Sequence, residues 1–588
     1  MSEDAPATTA TAEKKLPKDL AADKGMVNVQ IDGHWIQVPR GTRMIEAAKM
    51  AEKEIPHYCY HPKLSSPGNC RMCLVQMGMP PRPAPGADPE YGDDGFQEIG
   101  WMPRPVIACA NTVAENMGIR TTGELVETTR EGVMEFLLIN HPLDCPICDQ
   151  AGECKLQEFS VEHGRGQSRF QETKIKKPKN VDIGKNIRLD DERCIMCSRC
   201  IRFMDEVAEE SVLGFSQRGT HTSVTVHPGH RLDNNYSLNT ADICPVGALT
   251  SNDFRFQMRV WFLKETKSID INCGTGANTV IWTRGNEIFR VTPRQNDDVN
   301  SAWMPDSHRL AFHSLQTEDR LARPMVKKGD QHVETSWLEA TSKAAEGLGI
   351  LQPKEVAIIA SGRSSNEELY LIKKISAAIG TDLVCVVPRK GASDGKLVSA
   401  DRNPNTTGAN LIFETDEPCA KLDAIREGVV AGRIKSLIVL QEDLLQEAGF
   451  KAEDLVKLDH LVVTHTHANP TAAQATVVLP GTGFAEKRAT YVNVTGRLQR
   501  ANQAVIAPGE ARDDWESLAA LLAKLDKDYQ PPASMDGVFN SLASEVEALN
   551  GQTFGSIGDL GVQITETGVT IPLLEQEKAR VESGIIVG

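Results

Sequence analysis

The sequence has no long hydrophobic run. None of its 588 residues lies in an apolar stretch long enough to cross a bilayer, so any membrane attachment is expected to go through a partner. The first 25 residues are rich in Ala, Thr, Lys and Asp. They lack both the apolar core of a signal peptide and the Arg-rich pattern of a transit peptide. We therefore expect residues 1–25 to form a disordered tail.

An excess of positive charge is also missing. The net charge is -16 and the pI is about 5.5, and such a surface would repel the phosphates of nucleic acid. Nucleic acid is therefore not an expected partner. At 588 residues the chain is too long for a single core, and its 40% hydrophobic content is enough to fill three or four domains.

Cysteine is plentiful but unevenly placed. Eleven of the fourteen cysteines come before residue 245, many of them in Cys-x-x-Cys pairs. In a large chain without a secretion signal, this clustering favours metal sites over disulfides. The other three, Cys273, Cys385 and Cys419, are isolated in the sequence, and we expect them to be small buried hydrophobic side chains.

The eleven cysteines and one histidine fall into three groups of four. Soft thiolates at short intervals can converge on one metal centre, because a loop of two or three residues brings successive sulfurs together. The sequence therefore predicts three four-ligand sites. The groups are Cys59, Cys70, Cys73 and Cys109; His141, Cys145, Cys148 and Cys154; and Cys194, Cys197, Cys200 and Cys244.

The first group follows a hairpin and a helix. Residues 27–38 alternate around an Asp-Gly pair, which predicts a tight β hairpin, and residues 44–55 have helical spacing. A strand is predicted to follow Cys73. This order resembles the plant-type ferredoxin β-grasp fold, in which a late cysteine, here Cys109, completes a [2Fe-2S] site. Residues 78–101 are rich in Pro, Gly and Asp and are predicted to form a surface excursion that leaves the ligands in place.

The second group directly follows a helix predicted over residues 124–140. A single histidine beside a helix end usually has a capping or core role, but Cys145 and Cys148 follow His141 at once, which favours a metal ligand. An imidazole in place of a thiolate makes a cluster one unit less negative and should raise its reduction potential. Asp144 or a backbone carbonyl is expected to hold the other ring nitrogen.

The third group begins with the run typical of bacterial ferredoxins. Cys194, Cys197 and Cys200 are each three residues apart, and no local fourth cysteine follows them. The fourth ligand is predicted to be Cys244, after a β hairpin through residues 215–226, and the small residues beyond it let backbone amides approach sulfur. Four thiolates also suit zinc, so a zinc-organised, non-redox interaction protein is an alternative.

Residues 59–73, 141–154 and 194–200 together resemble the large iron-sulfur subunit family of NADH:quinone oxidoreductase, respiratory complex I. The resemblance implies one [2Fe-2S] and two [4Fe-4S] clusters that pass single electrons from a flavin, NADH-binding subunit toward quinone-side iron-sulfur subunits. It implies no catalytic residue and no flavin or NAD on this chain. It also implies a peripheral place on the inner, cytoplasmic face of the bacterial membrane.

Two further alternatives concern related enzymes. The iron-sulfur subunits of soluble NAD-dependent formate dehydrogenases and of hydrogenases share this N-terminal cluster domain. Some bacterial complex I members also carry a fourth [4Fe-4S] site after the third. Here that region contains Cys273 alone, so no such cluster is expected from local ligands.

The second half of the chain is predicted to be a scaffold. Residues 257–315 are predicted to form a small β segment, and short apolar strands then alternate with helices, which indicates a parallel α/β sheet. No strand-GxGxxG-helix unit accompanies them. Residues 321–326, 336–340 and 478–497 resemble the molybdopterin oxidoreductase domain, which complex I members keep without its cofactor. The predicted strands are 355–360, 383–387, 436–440 and 460–464, with a helix at 366–379.

The expected fold class is therefore α+β and α/β, in several domains. They are a disordered tail (1–25), a 2Fe-2S ferredoxin-type β-grasp domain (26–115), a 4Fe-4S domain with one histidine and three cysteine ligands (116–180), a 4Fe-4S ferredoxin-like domain (181–256), a small β segment (257–315) and a molybdopterin-oxidoreductase-like α/β scaffold (316–588).

Overall fold

The computed structural model describes residues 25–83, 91–92 and 95–586. The predicted tail at 1–25 lies outside the described residues except for its last position, as do 84–90 and 93–94 of the predicted excursion. Within these ranges no helix is both long and apolar enough to cross a membrane. The chain divides into two compact units.

The first unit contains the described residues up to Asp233, then Thr240–Asn252, and 579–586. Up to residue 252 the strands are β1 (Met26–Ile31), β2 (His34–Pro39), β3 (Leu74–Met79), β4 (Gly100–Trp101), β5 (Val106–Ile107), β6 (Met117–Arg120), β7 (Val181–Asp182), β8 (Ile187–Leu189), β9 (Leu213–Ser216), β10 (Ser223–Val226) and β11 (Leu249–Ser251). The helices are α1 (Met44–Met50), α2 (Glu124–Leu138), α3 (Lys155–Glu162), α4 (Arg199–Glu206) and α5 (Asn239–Asp242).

The predicted β-grasp arrangement is confirmed. Strands β1 and β2 form a hairpin whose two turn residues, Asp32 and Gly33, have φ values of 48° and 86°, as a type I′ turn requires. Strand β1 also pairs in parallel with β6, and β6 pairs antiparallel with β3. The sheet order is β2-β1-β6-β3-β4, with β5 also pairing with β3.

Helix α1 is shorter than predicted. It ends at Met50 and not near residue 55. Glu52 has a left-handed φ of 58°, and the Lys53 amide donates to the Ala48 carbonyl at 2.9 Å. This Schellman closure satisfies the last carbonyls and stops the helix, so the remaining residues extend toward Cys59.

The other elements of the first unit follow the predictions more closely. Helix α2 spans most of residues 124–140, and β9 pairs antiparallel with β10 in the predicted hairpin. A small sheet in the order β11-β8-β7 flanks the third cysteine group.

Residues 579–586 group with the first unit. The Arg580 guanidinium lies 3.8 Å from the Glu206 carboxylate and donates to the Lys63 carbonyl at 3.5 Å. The Arg43 guanidinium donates to the Ile585 carbonyl at 3.3 Å. The first unit is therefore built from three separate stretches of the chain.

The second unit contains Asn234–Asn239 and Asp253–Lys578. Its strands are β12 (Lys264–Ile269), β13 (Asn278–Arg284), β14 (Glu287–Pro293), β15 (Met325–Lys328), β16 (Gln331–Glu334), β17 (Val356–Ser361), β18 (Val384–Val387), β19 (Ser436–Leu440), β20 (His460–His465), β21 (Val477–Pro480), β22 (Ala489–Val492), β23 (Arg497–Ala501) and β24 (Val562–Gln563). The helices beyond residue 252 are α6 (Asp306–Arg309), α7 (Trp337–Gly349), α8 (Asn366–Ile379), α9 (Thr406–Phe413), α10 (Leu422–Val430), α11 (Leu444–Glu447), α12 (Ala452–Leu455), α13 (Asp514–Leu525), α14 (Met535–Glu545) and α15 (Pro572–Glu582).

The predicted parallel α/β sheet is present, with an addition. Its order is β16-β15-β21-β20-β19-β17-β18, and the five strands from β21 to β18 are parallel. Successive residues of β17 enter two different apolar clusters, so both faces of the sheet are covered. The sequence did not predict β15 and β16, which add an antiparallel edge.

The expectation that Cys385 and Cys419 are isolated is wrong. Their sulfurs are joined in a disulfide, with the two Cα atoms 4.1 Å apart. Cys385 lies on β18, and the Val386 amide donates to the Pro418 carbonyl at 2.9 Å, which brings the loop containing Cys419 alongside the strand. The two cysteines are 34 residues apart in the sequence, so no local pattern could predict this pairing.

A buried ion-pair group lies beside the sheet. The Lys487 ammonium is 2.5 Å from Glu368 and 3.2 Å from Asp514, and all three residues are at most 5% exposed. Glu368 also caps α8 by accepting the Ser365 amide. Each charge therefore depends on its partners, because none of them is hydrated by bulk water.

Replacing this lysine should destabilise the second unit. Lys487→Met leaves two buried carboxylates without their cation, and we expect a loss of about 3–5 kcal/mol, measured as a lower melting temperature by calorimetry of the whole chain. Lys343→Met is the matched control, since its exposed partner Glu346 is 3.7 Å away and such pairs contribute under about 1 kcal/mol. Equal melting temperatures for the two variants would contradict the role of the buried group.

Candidate metal centres

Strand pairing brings the late cysteine of the first group into place. Cys73 lies just before β3 and Cys109 just after β5. These strands pair antiparallel, and the Ala108 amide donates to the Cys73 carbonyl at 2.9 Å. The predicted excursion begins at the end of β3 and returns to the sheet at β4. These two strands pair antiparallel, with Gly78 opposite Trp101. The excursion therefore does not alter the spacing of the ligands at its base.

The four thiols of the first group lie together. Cys59 hydrogen-bonds through its sulfur with both Cys70 and Cys109, and Cys109 also bonds with Cys73. All four side chains are buried. Arg71, between the second and third ligands, has a left-handed φ of 63°, which turns the loop back on itself. The predicted grouping of these four residues is thus present in the structure.

In the second group the three cysteines interact electrostatically with one another. Besides burial, the charges of Cys148 and Cys145 both raise the pKa of Cys154. Cys145 begins a short 3-10 turn, and Cys154 is the N-cap of α3. Cys148 and Cys154 are buried, whereas Cys145 is exposed. Backbone groups of Leu156 and Gln157 hydrogen-bond to the Cys154 sulfur.

His141 lies directly after α2, as predicted. Its amide donates to the Leu138 carbonyl at 3.2 Å. Burial, followed by the charges of Lys174 and Arg193, lowers the pKa of His141 to about 4, so the imidazole is neutral at physiological pH. Asp144, one of the two groups expected to hold its ring, instead pairs with Lys179 and with Arg193 at 3.2 Å.

The third group assembles around a loop with unusual backbone angles. Met196 and Ser198, which separate its first three cysteines, have φ values of 52° and 62°, and such strained positions are found where amides must face inward. Cys194 interacts electrostatically with Cys197, Cys200 and Cys244. Cys244, predicted from far downstream in the sequence, therefore does reach the loop.

Backbone groups approach the Cys244 sulfur as the small residues there predicted. Backbone groups of Ala248 and Leu249 hydrogen-bond to it, and the thiol itself donates to the Val246 carbonyl at 2.9 Å. Burial is nevertheless the larger influence and raises the pKa of Cys244 to about 11; that of Cys154 rises to about 11 for the same reason. Thiols in such surroundings ionise only when a nearby positive charge compensates the thiolate.

Helix α4 joins the first and third groups. The Arg202 guanidinium donates to the carbonyls of Cys59, at 2.5 Å, and Cys197, at 3.5 Å, and also to that of Ser65. Its neighbour Arg199 donates to the carbonyls of Tyr60 and Ile243. The two ligand loops are therefore fixed to one helix.

The loop after Cys244 joins the third group to the second. The Lys155 amide, next to Cys154, donates to the Pro245 carbonyl at 3.1 Å. Gly247 packs so closely on Cys148 that a methyl group in its place would overlap the sulfur. The buried Tyr58 also interacts electrostatically with Cys154 and Cys70. All three groups thus occupy one continuous region.

Comparison with known proteins gives each region a family. A model described as a 2Fe-2S iron-sulfur cluster binding domain matches residues 24–124, and one for an NADH-ubiquinone oxidoreductase-G iron-sulfur binding region matches 130–169. The ferredoxin-like domain of NADH-quinone oxidoreductase subunit 3 matches 184–250. A molybdopterin oxidoreductase model matches 406–524.

Whole-length relatives decide the family. The NADH-quinone oxidoreductase G subunit of Rickettsia conorii is 34% identical over 87% of this chain and 75% of its own length. The chain belongs to this G-subunit family. The mitochondrial NADH-ubiquinone oxidoreductase 78 kDa subunit of Candida albicans is 30% identical over 84% of this chain and 82% of that protein.

Membership of the G-subunit family makes the chain an oxidoreductase subunit with iron-sulfur domains, as the sequence predicted, and supports electron transfer. It favours complex I over the formate dehydrogenase, hydrogenase and zinc alternatives. A solved NAD+-reducing [NiFe]-hydrogenase is 26% identical over 40% of this chain and 91% of its own, with a TM-score of 0.32, too low to support any structural conclusion.

Two other cofactors named by the family models do not fit the residues present. A 4Fe-4S domain described as NDSU1/NuoG-like matches residues 263–313, but Cys273 is the single cysteine in that stretch. The molybdopterin model matches residues 406–524, where the single cysteine, Cys419, is already bonded to Cys385. The first stretch therefore has too few cysteines for a cluster, and the second has no free thiol for a metal.

The close packing of Gly247 on Cys148 gives a test of the second group. In Gly247→Ala the new methyl group would displace the Cys148 sulfur and meet Gln150 Cβ at 3.1 Å. We expect one [4Fe-4S] signal to weaken in low-temperature EPR of the full chain, while the [2Fe-2S] signal persists.

The matched control is Gly132→Ala. Gly132 lies within α2, where a Cβ meets nothing within 4 Å, and alanine should stabilise the helix by about 0.5–1 kcal/mol. An unchanged spectrum for Gly247→Ala would remove Cys148 from the ligands of the second group.

Proposed function

We propose that this chain relays single electrons through one [2Fe-2S] and two [4Fe-4S] clusters, from the flavin subunit of complex I toward its quinone-side iron-sulfur subunits. The observation that carries the proposal is that the cysteines of each group lie together, and that all twelve predicted ligands fall within matching iron-sulfur family domains of one structural unit. No molybdopterin, flavin or NAD belongs to this scheme.

The ligands are assigned group by group. Cys59, Cys70, Cys73 and Cys109 hold the [2Fe-2S] cluster; His141, Cys145, Cys148 and Cys154 hold one [4Fe-4S] cluster; Cys194, Cys197, Cys200 and Cys244 hold the other. When bound, each cluster supplies a one-electron couple. The protein contributes thiolates, one neutral imidazole and hydrogen bonds to sulfur, which set the potential.

The spacing of the sulfurs supports clusters over single zinc ions. Four thiolates around one zinc lie about 3.8 Å apart, because each Zn–S bond is about 2.3 Å. Among the residues that the structure describes, no three ligand atoms of these twelve residues lie within 4.8 Å of one another, although another group does meet that limit. Pairs of sulfurs in the first group lie within hydrogen-bonding distance, but three sulfurs do not gather around one point as the ligands of a single zinc would.

Contacts between the loops support an order of transfer. The third group touches the first through Arg202 and the second through Gly247, so its cluster is the intermediate carrier although its ligands come last in the sequence. The direction, from the [2Fe-2S] cluster to the His141 cluster, rests on the family resemblance alone.

The surface of the second group supports a docking place for the next subunit. Cys145 is exposed, and Leu143 and Ile147 on either side of it are 89% and 63% exposed. Apolar side chains beside a ligand are suited to burial by a partner. Electrons would leave the chain here, and the partner subunits would hold it at the inner face of the bacterial membrane.

We further propose that the domain boundaries separate the three cluster-binding regions from the scaffold. Residues 26–115, 116–180 and 181–256 each carry one cluster. Residues 257–315 form the small β segment, and residues 316–588 form the scaffold, apart from 579–586, which pack with the cluster domains.

Metal analysis tests the proposal. The full chain should contain about ten iron atoms, two in the [2Fe-2S] cluster and four in each of the others, with matching sulfide and broad visible absorbance that reductant bleaches. The zinc alternative predicts almost no iron and three zinc ions. Either that result or iron for only one cluster would overturn the three-carrier scheme.

Substitutions at His141 test the unusual ligand. His141→Ala should lose one [4Fe-4S] signal in low-temperature EPR, because a methyl group cannot bind iron. His141→Cys should keep the cluster at a lower reduction potential, because a thiolate adds one negative charge. His163→Ala, at the end of α3, is the matched control and should leave the spectrum and the potential unchanged.

If His141→Ala and the control give the same spectrum, His141 is not a ligand. If His141→Cys keeps the cluster at an unchanged potential, the imidazole does not tune the carrier.

A further inference from the structure

One buried group in the second unit has the composition of a metal site and takes no part in the relay. Asp270, Cys273 and His308 each direct a possible ligand atom to the same place, and these atoms lie within 4.8 Å of one another. No other group of three His, Cys, Asp or Glu side chains meets that limit in the described part of the chain. Cys273 is buried, as the sequence predicted, but it is not simply a hydrophobic side chain, because its sulfur lies beside Asp270 and His308.

Backbone contacts fix the positions of Asp270, Cys273 and His308. Asp270 and Cys273 follow β12, where the Asp270 amide donates to the Ala277 carbonyl at 2.7 Å and closes the loop. His308 comes from α6, which is anchored because Asp306 accepts the Leu238 amide at 3.0 Å. Two distant parts of the sequence thus meet at a fixed place.

The donor atoms are oriented toward one another. His308 Nδ1 lies 2.6 Å from Asp270 Oδ2, while the other Asp270 oxygen accepts from the Asn272 amide at 3.0 Å. Cys273 is fully buried, and its sulfur lies 3.6 Å from the Leu397 carbonyl. One carboxylate oxygen, one imidazole nitrogen and one sulfur are thereby available to a single ion.

We propose that Asp270, Cys273 and His308 bind one zinc ion. Thiolate, imidazole and carboxylate are the ligands that zinc takes in proteins, and its two positive charges would balance those of a buried thiolate and carboxylate. Binding releases the thiol proton and the proton shared by His308 and Asp270 to solvent. Three protein ligands leave the fourth tetrahedral position to water.

The arrangement needs only a small change to accept the ion. Two ligands on a tetrahedral zinc are about 3.3 Å apart for bonds of about 2.0 Å, so the 2.6 Å contact of His308 with Asp270 opens by less than an ångström. Arg363 interacts electrostatically with Asp270 and adds positive charge nearby. That charge opposes any dication equally, so selection against hard cations such as magnesium comes from the sulfur and imidazole ligands, from which they gain little.

The match of residues 263–313 to a 4Fe-4S domain is consistent with this assignment. The stretch keeps one cysteine, too few for a cluster, and adds a histidine and an aspartate at the same place. We infer that a mononuclear site occupies the segment where other family members place a cluster, and that it contributes stability to the second unit without carrying electrons.

Metal content of the purified full chain tests the proposal. We expect about one zinc per chain besides the iron, and X-ray absorption at the zinc edge should show one sulfur at about 2.3 Å with nitrogen or oxygen at about 2.0–2.1 Å. Cys273→Ser and His308→Gln should each lose the zinc and leave the iron content unchanged.

The matched control is His313→Gln. His313 also pairs with an aspartate, Asp253, at 2.7 Å, but no cysteine joins them in the group that could hold a metal, so zinc should be retained. Wild-type chain without zinc, even after zinc is added, would overturn the proposal, as would zinc that both variants keep. If a variant misfolds and loses iron too, the wild-type zinc spectrum decides, since a shell without sulfur excludes Cys273.

Discussion

The structure depends on the cost of placing negative charge away from water. Ten of the eleven cysteines proposed as ligands are buried or half-buried, and burial raises the pKa of Cys154 and Cys244 alike. A thiolate in such a place must be stabilised by a cation or by hydrogen bonds. Backbone groups around Cys244 and the guanidinium groups of half-buried Arg199 and buried Arg202 supply part of that compensation, and the iron of the proposed clusters would supply the rest. By the same requirement, a neutral imidazole as the proposed fourth ligand of the second group would leave one negative charge fewer to stabilise there.

The proposed carrier order differs from the sequence order because of helix α4 and the segment after Cys244. Its two arginines bind carbonyls on the loops of the first and third groups, while the segment after Cys244 packs against the second group. The third group therefore lies in contact with both others. The His141 segment, central in the sequence, therefore comes last in the proposed order, although Tyr58 also lies near both Cys154 and Cys70.

Local patterns predicted most of the fold and ten of the twelve proposed ligands; Cys109 and Cys244 lie far from the rest of their groups and were assigned from the order of the segments. The Asp-Gly hairpin, helix α8 and strands β17 and β19 follow from short-range periodicity, and Cys-x-x-Cys spacing needs no tertiary knowledge. What sequence reasoning missed depends on contacts between distant residues. The Cys385–Cys419 bond, the meeting of Cys273 with His308 and the antiparallel edge strands β15 and β16 have no local signature. The end of α1 was missed for another reason: a glutamate, and not the usual glycine, takes the left-handed position.

The discontinuous first unit has a consequence for biosynthesis. Residues 579–586, which hold the loops near Arg43 and Lys63, leave the ribosome after the whole second unit. The cluster-bearing unit can therefore start to fold early, but its final contacts form only when translation has reached these residues. Synthesis interrupted before that point would yield a chain with every proposed cluster ligand but without these contacts. Its partly exposed surface would be open to proteases and chaperones before assembly.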